Sequence, residues 1–207
     1  MNSTLRFYKN KLPYKEKQFN RIFPLASYFG EMIGNKTEVN IADLGAGLFS
    51  TTGSTHPTAI IHLYPSDILA DEYKDLLKKA KIIPILSVER QDMVQLTYEN
   101  NFFDIVHCVN ALDHCENPLK AIQEMYRICK PDGWIYLRHF YNVAEYEKYS
   151  GSHQWNICKE EDSDDCIVWN KNTQFFFSNY FSNLNVILQE VTVPPFMEVV
   201  CKIRKNI

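Results

Sequence analysis

The sequence predicts an α/β fold: a three-layer sandwich on a mostly parallel seven-stranded sheet with a C-terminal antiparallel hairpin strand. Three observations carry that expectation. Short apolar runs alternate with helical stretches over residues 38–140, the first run ends in a glycine turn, and two strand-like runs with no helix between them close the chain. Strands buried on both faces read as continuous apolar runs, and helices between such strands impose parallel pairing through right-handed crossovers.

The elements are expected in this order. Residues 14–33 place Phe19, Ile22, Phe23, Leu25, Ala26, Phe29 and Ile33 at helical spacing, with Pro24 as a break or kink, so 1–36 reads as an N-terminal helical region. Glu38–Leu44 is a buried strand, and the helix expected after its glycine turn would offer free N–H groups. Thr58–Tyr64 is a second strand, ending at Pro65-Ser66-Asp67, and Ala70–Ala80 is a helix of good helix formers. Lys81–Val88 reads as a third strand and Phe103–Val109 as a fourth. Pro118–Cys129 sets Leu119, Ile122, Met125, Tyr126 and Cys129 on one helical face. Lys130–Gly133 is a turn before a fifth strand, Trp134–Phe140. Leu184–Val193 and Met197–Arg204, joined through Pro194-Pro195, form the closing hairpin. Residues 141–178 are polar, aromatic-rich and expected to be irregular, an insert within a single domain spanning 1–207.

Bulk composition narrows the partners. A net charge of −3 gives no global basic field, so nucleic acid is not the expected substrate class on phosphate-binding grounds. The basic runs Lys9–Lys17 and Lys78–Lys81 read as solvated helix faces. No apolar segment approaches the ~20 residues of a membrane span, and Met1–Asn10 lacks a signal-peptide apolar region. The six cysteines include no C-x-x-C pair, which argues against a zinc ribbon and a secreted disulfide framework. A cytoplasmic protein with reduced thiols is the expectation. Glu160–Asp165, acidic at five of six positions, reads as a solvated loop, and no metal site is expected.

The chemistry starts at Asp43-Leu44-Gly45-Ala46-Gly47. Glycines at a strand's carboxyl end let backbone approach a ligand, the Rossmann-like arrangement, although two glycines alone are weak evidence. Asp67 lies 20 residues beyond Gly47, after the second strand, where a carboxylate can accept both ribose hydroxyls of a nucleoside cofactor.

With these residues in order, the sequence resembles the class I S-adenosylmethionine-dependent methyltransferases of the methyltransferase-11-like group. Asp43–Gly47 matches the first motif, Asp67-Ile68-Leu69-Ala70 the acidic second motif, and Asp92-Met93 the adenine position. Phe103–Val106 through Asn110-Ala111-Leu112-Asp113-His114 matches the fourth strand and its loop, and Lys130–Trp134 the entry to the fifth. The resemblance covers roughly residues 39–140. It implies S-adenosylmethionine as cofactor, with Asp43 near the amino-acid moiety and Gly45, Ala46 and Gly47 offering close backbone. It likewise implies Asp67 at the ribose, Asp92 at the adenine amino group, and Met93 and Ile68 at the adenine faces. Asn110 and Ala111 would lie beside the methionine part, while Tyr64 and Leu44 read as core. Phe49 stands where the family often has a third glycine, which would alter how the following helix packs.

Methyl transfer from a sulfonium needs a positioned acceptor and, for a hydroxyl, a base. His139, at the end of strand five, and His153, within Gly151-Ser152-His153-Gln154-Trp155, are the candidate bases. His114 is a weaker third, read also as a loop cap, and His107 is read as packed core. The insert reads as an acceptor lid with Tyr141, Glu145, Gln154 and Trp155 as substrate contacts. The expected reaction is O-methylation of a small polar acceptor: a sugar, nucleotide-linked sugar or capsule-type phosphoryl group. N-methylation of a metabolite, RNA or protein methylation, and a non-catalytic scaffold remain alternatives, and oligomeric state is left open.

Overall fold

The computed structural model describes residues 3–15, 22–194 and 196–206. Seven strands form the main sheet: β1 (Glu38–Leu44), β2 (Ile60–Asp67), β3 (Glu89–Arg90), β4 (Phe103–Val109), β5 (Cys129–Phe140), β9 (Leu184–Glu190) and β10 (Met197–Arg204). Their spatial order is β3-β2-β1-β4-β5-β10-β9. β1 to β5 pair in parallel, whereas β10 runs antiparallel to both β5 and β9. The order reverses between β1 and β4, and ligands of open α/β sheets collect at the strand carboxyl ends beside such a reversal.

Alternation along the central strands builds two cores. Ala42, Leu44, Val106, Cys108, Ile135 and Leu137 face α4 (Pro118–Ile128), which inserts Ala121, Ile122, Met125 and Ile128. Val39, Ile41, Ile105 and Tyr136 face the other way, onto Leu25 and the Phe29, Met32 and Ile33 of α2 (Phe29–Ile33). α4 starts sharply because Pro118 has no N–H to leave unpaired and Asn117 Oδ1 accepts the Lys120 N–H at 3.1 Å. A third cluster joins α1 (Ser3–Lys15) to α3 (Ala70–Lys79) through Leu12, Leu48, Phe49, Tyr73 and Leu77.

Several expectations need correction. Only Phe29–Ile33 of the proposed 14–33 helix is helical among the residues described there beyond α1. Pro24 ends that possibility: its neighbours are drawn into an extended pairing, with Ser54 donating to Phe23 O and Leu25 to Thr55 O, both at 2.9 Å. Phe19, Pro195 and the part of the N-terminal basic run beyond Lys15 lie outside the described residues. No helix follows the glycine turn; residues 45–59 cross to β2 without one, and Phe49 packs into the α1–α3 cluster instead. β2 continues through Pro65 to Asp67, because β3 reaches its free edge only from Ser66 and no ladder partner stands opposite Pro65 there. The strand expected at 81–88 is absent. Lys81 is left-handed (φ 59°), Pro84 removes a ladder donor, and only Glu89 and Arg90 pair. Lys130–Gly133 is a bulge inside β5: Phe103 opposes Cys129 but Ile105 opposes Trp134, and Asp132 turns left-handed at φ 59°. β9 ends at Glu190, three residues early, before a turn in which Val191 N–H bonds Phe196 O.

The insert is ordered. After α5 (Val143–Tyr146) it forms a three-stranded antiparallel sheet, β6 (Asn156–Lys159), β7 (Cys166–Trp169) and β8 (Gln174–Phe176). Ile157, Cys166, Val168, Phe175 and Phe177 bury themselves in the α4-side core. Its apolar residues alternate over strands too short to stand out against the polar background. Asp165 in the acidic stretch is buried, and its Oδ1 accepts the Cys166 and Ser178 N–H groups.

Candidate active site

Two cavities open at the carboxyl ends of β1, β2 and β4, and Gly45 lines both. The first, about 210 Å³, has Asp67, Ile68, Asp92, Met93, Ala111 and His114 on its walls. The second, about 400 Å³, has Asp43, Ala46, Thr51, Thr52, Asn110 and Arg138. Residues 44 positions apart in sequence and more are thus brought together by parallel pairing of the three strands.

The glycine turn is held from β2. Ala46 N–H donates to Ser66 O at 3.0 Å, and Gly47 N–H to Asp67 Oδ2 at 3.0 Å. Asp67 Oδ1 takes the Leu69 N–H at 2.9 Å. Both carboxylate oxygens are thereby aimed, with lone pairs left for a ligand's hydroxyls. Burial pushes the Asp67 pKa up, and the two backbone N–H groups pull against that shift. Gly45 and Gly47 are left-handed (φ 70° and 68°), and a Cβ at Gly45 would lie 2.3 Å from Ala111 Cβ. The backbone there is bare because nothing larger fits beside Ala111. Asn110 is also left-handed (φ 49°), and its Oδ1 accepts Phe140 N–H at 3.1 Å, locking the β4 loop to the end of β5.

A family model described as a methyltransferase domain matches residues 42–137. The ubiquinone biosynthesis O-methyltransferase of Nitrosomonas europaea is 27% identical over 129 residues, covering 58% of this chain and 52% of that protein. The chain spans about half the length of the curated relatives it matches most extensively. An S-adenosyl-L-methionine-dependent methyltransferase structure from Methanococcus maripaludis superposes with TM-score 0.59 at 14% identity, over 98% of this chain and 92% of that one. Another from Methanosarcina mazei gives 0.56 at 13% identity, over 89% and 100%. At such identities the structures establish the fold, and the sequence match is confined to residues 42–137. The chain is similar in fold, and over this matched region in sequence, to the class I S-adenosylmethionine-dependent methyltransferases.

The cradle fits a nucleoside cofactor. A bare glycine turn, a fixed carboxylate 20 residues on and an apolar wall of Ile68 and Met93 suit backbone, ribose and adenine in that order. Asp92 is exposed on the cavity rim, with Oδ1 accepting Val94 N–H at 3.0 Å. In the missing helix's place, Thr4 and Tyr8 of α1 reach the cavities from the N-terminal side, a contribution invisible in the motif pattern.

Asp43, on the wall of the second cavity, is held by two side chains. It is buried, accepting from Ser50 Oγ at 2.6 Å through Oδ2 and facing His107 Nδ1 at 2.8 Å through Oδ1. His107 is buried as expected, but it is no inert core residue: its Nε2 lies 2.9 Å from Tyr28 Oη. Burial raises the Tyr28 pKa well above the usual phenol value, so this hydroxyl stays protonated. The Asp43–His107–Tyr28 chain lines the second cavity beside Arg138. Sequence reasoning missed it because Tyr28 comes from the segment just before α2.

The three candidate histidines converge on one residue the sequence reading left out of the site, Asp113. His153 Nδ1 lies 2.7 Å from Asp113 Oδ2, His114 Nε2 3.3 Å from the same oxygen, and His139 Nδ1 4.0 Å from Oδ1. The signal was present: an acid beside His114 in the loop after β4. The four expected acceptor contacts sit differently. Gln154 Nε2 donates to Tyr149 O and Gly151 O, and Trp155 Nε1 to Cys115 O at 2.9 Å. With Gln154 N–H on Asp113 O at 3.1 Å, these bonds pin the insert to the 111–115 turn. Glu145 is exposed on α5, and Tyr141 packs at the edge of the α4-side core. Ser152 is the insert residue on the wall of the first cavity.

Proposed function

We propose that the protein transfers a methyl group from S-adenosylmethionine to an oxygen of a small polar acceptor, a sugar, nucleotide-linked sugar or capsule-type phosphoryl compound. The observation that carries this reading is the Asp67-tied glycine cradle together with the Asp113–His153 pair, whose chain neighbours His114 and Ser152 stand on the wall of the same cavity. When bound, the cofactor supplies an electrophilic methyl group. Gly45, Gly47 and Asp67 hold and orient it, and Ile68 and Met93 exclude water from the adenine side. Asp113 fixes the His153 ring through Nδ1, which leaves Nε2 to accept the acceptor's hydroxyl proton. His139, 1% exposed on its side chain and with neither ring nitrogen hydrogen-bonded, bears on the reaction through Asp113 rather than by touching the acceptor.

The polar wall of the second cavity supports the acceptor class. Thr51, Thr52, Asn110 and Tyr28 offer hydrogen bonds, and Arg138 offers a cation for a phosphoryl or carboxylate group. The lack of a net basic charge favours a small acceptor over RNA. The name of the Nitrosomonas relative supports oxygen as the atom methylated. An acceptor screen reading S-adenosylhomocysteine release tests the proposal, with His153→Ala as control. Turnover on hydroxylated acceptors, lowered by about 10²-fold or more in the variant with cofactor affinity intact, is expected. Full turnover in the variant removes His153 as base, and failure to bind the cofactor at millimolar concentration removes the enzyme reading altogether.

A further inference from the structure

We propose that Asp113, His114 and His153 form a binding site for a divalent first-row transition cation, Zn²⁺ being the simplest fit, at the rim of the cofactor cavity. The sequence predicted no metal, since its one acidic run lies elsewhere. Among the described residues, these three bring one donor atom each to within 4.8 Å of one another. The triangle is tight: His153 Nδ1 to Asp113 Oδ2 is 2.7 Å, His114 Nε2 to His153 Nδ1 is 3.2 Å, and His114 Nε2 to Asp113 Oδ2 is 3.3 Å. Zinc bonds of about 2.0–2.1 Å to nitrogen and about 2.0–2.2 Å to oxygen set tetrahedral donors roughly 3.3–3.5 Å apart. Two edges already have about that length, and the third opens once the His153–Asp113 hydrogen bond gives way to coordination.

The donor chemistry points the same way. Two imidazoles and a carboxylate suit zinc, cobalt, nickel or iron, whereas magnesium and calcium prefer oxygen sets. Without an ion, two ring nitrogens face each other at 3.2 Å over one carboxylate oxygen, and at most two protons can be placed among the three atoms without repulsion. A second observation is independent of that triangle. His139 is buried, neither of its ring nitrogens has a hydrogen-bond partner, and its Nδ1 lies 4.0 Å from Asp113 Oδ1. A buried imidazole behind the carboxylate is the outer-shell partner that metal-bound carboxylates carry, and a shift of about 1 Å on ion binding would close that bond.

The site is open on one side. His114 and His153 are about a third exposed, and His114 shares the cavity wall with Ser152. Three protein ligands and an accessible fourth position are the pattern of a site that takes water or a substrate oxygen. Its use in the reaction rests on the proposed methyl transfer. An acceptor hydroxyl bound to the ion gives its proton to solvent, its oxygen bonds to the methyl carbon, and the broken C–S pair stays on sulfur as the thioether. His153 is then a ligand, and coordination replaces it as the means of ionising the acceptor.

The test uses the full chain, stripped with a chelator and titrated with Co²⁺ as an optical probe and with Zn²⁺ by calorimetry. One equivalent is expected to bind, with visible cobalt bands of a nitrogen–oxygen site. His114→Ala or His153→Ala should each weaken binding by more than about tenfold, and the double variant should abolish it. Stoichiometry far from one, millimolar affinity, or unchanged binding in the double variant overturns the site. S-adenosylhomocysteine titration of the same variants keeps the two readings apart: intact cofactor affinity with no metal binding sinks only the cation. Should a variant fail to fold, ¹⁵N resonances of the wild-type histidine rings decide. Zn²⁺ must shift His114 Nε2 and His153 Nδ1 first, and shifts confined to other histidines reject the assignment.

Discussion

Replacing Asp67 by asparagine isolates what its carboxylate does for the cofactor. The side chain keeps its shape, but one of its two oxygens becomes an amide NH₂. In the structure those oxygens accept the Gly47 N–H at 3.0 Å and the Leu69 N–H at 2.9 Å, so in either orientation the new amide meets a backbone donor. An unpaired N–H facing it costs about 1–3 kcal/mol of stability. On the ligand side, one of two charge-assisted bonds to the ribose hydroxyls is lost, about 2 kcal/mol, or roughly 30-fold in Kd. Calorimetric titration with S-adenosylhomocysteine reads the affinity, and urea melts read the stability. A Kd within threefold of wild type would show that the ribose does not sit on Asp67. The pH dependence gives a second check with a definite sign. Burial raises the folded-state pKa of Asp67, so its own contribution to stability is complete below the unfolded carboxylate range and is lost as pH rises through the raised value. Cofactor binding needs the ionised form, so affinity must fall as pH drops through that same raised value, above where an ordinary carboxylate titrates.

Other substitutions probe the rest of the site. Gly45→Ala places a methyl 2.3 Å from Ala111 Cβ at a φ of 70°, so cofactor binding should be lost or the fold destabilised by more than 1 kcal/mol; wild-type affinity and melting would refute the close packing. His107→Leu strands the buried Asp43 carboxylate with Ser50 alone and should cost about 3 kcal/mol, read as a lowered urea midpoint. Phe49→Ala should cost about 3–4 kcal/mol, because Phe49 fills the α1–α3 cluster; a neutral result would mean that it covers the cofactor site instead.

The centre of the sheet was legible because its strands are buried on both faces. Glu38–Leu44 and Phe103–Val109 were readable to the residue, and Met197–Arg204 likewise, since each carries its apolar residues between clear turn or breaker residues. The β6–β8 sheet was not, because strands of three or four residues are too short to stand out as such a run against the polar background. The Lys81–Val88 run misled for the converse reason. It is apolar in composition, yet Ile83 and Ile85 are exposed, and Pro84 removes a donor the ladder would need.

For the site, the sequence by itself determined the cofactor: five motifs in fixed order impose a bare backbone turn and a carboxylate at neighbouring strand ends. That inference is local, since each motif sits where a strand stops. Only the tertiary structure decided what surrounds the donor. Asp113, His114, His139 and His153 span 40 positions of chain, and they meet because Gln154 and Trp155 bond the insert to the turn after β4. Tyr28 reaches His107, and through it Asp43, from outside the sheet altogether. Neither grouping has a spacing of its own, because the distances that matter are set by strand pairing and loop docking rather than by the count of residues between them.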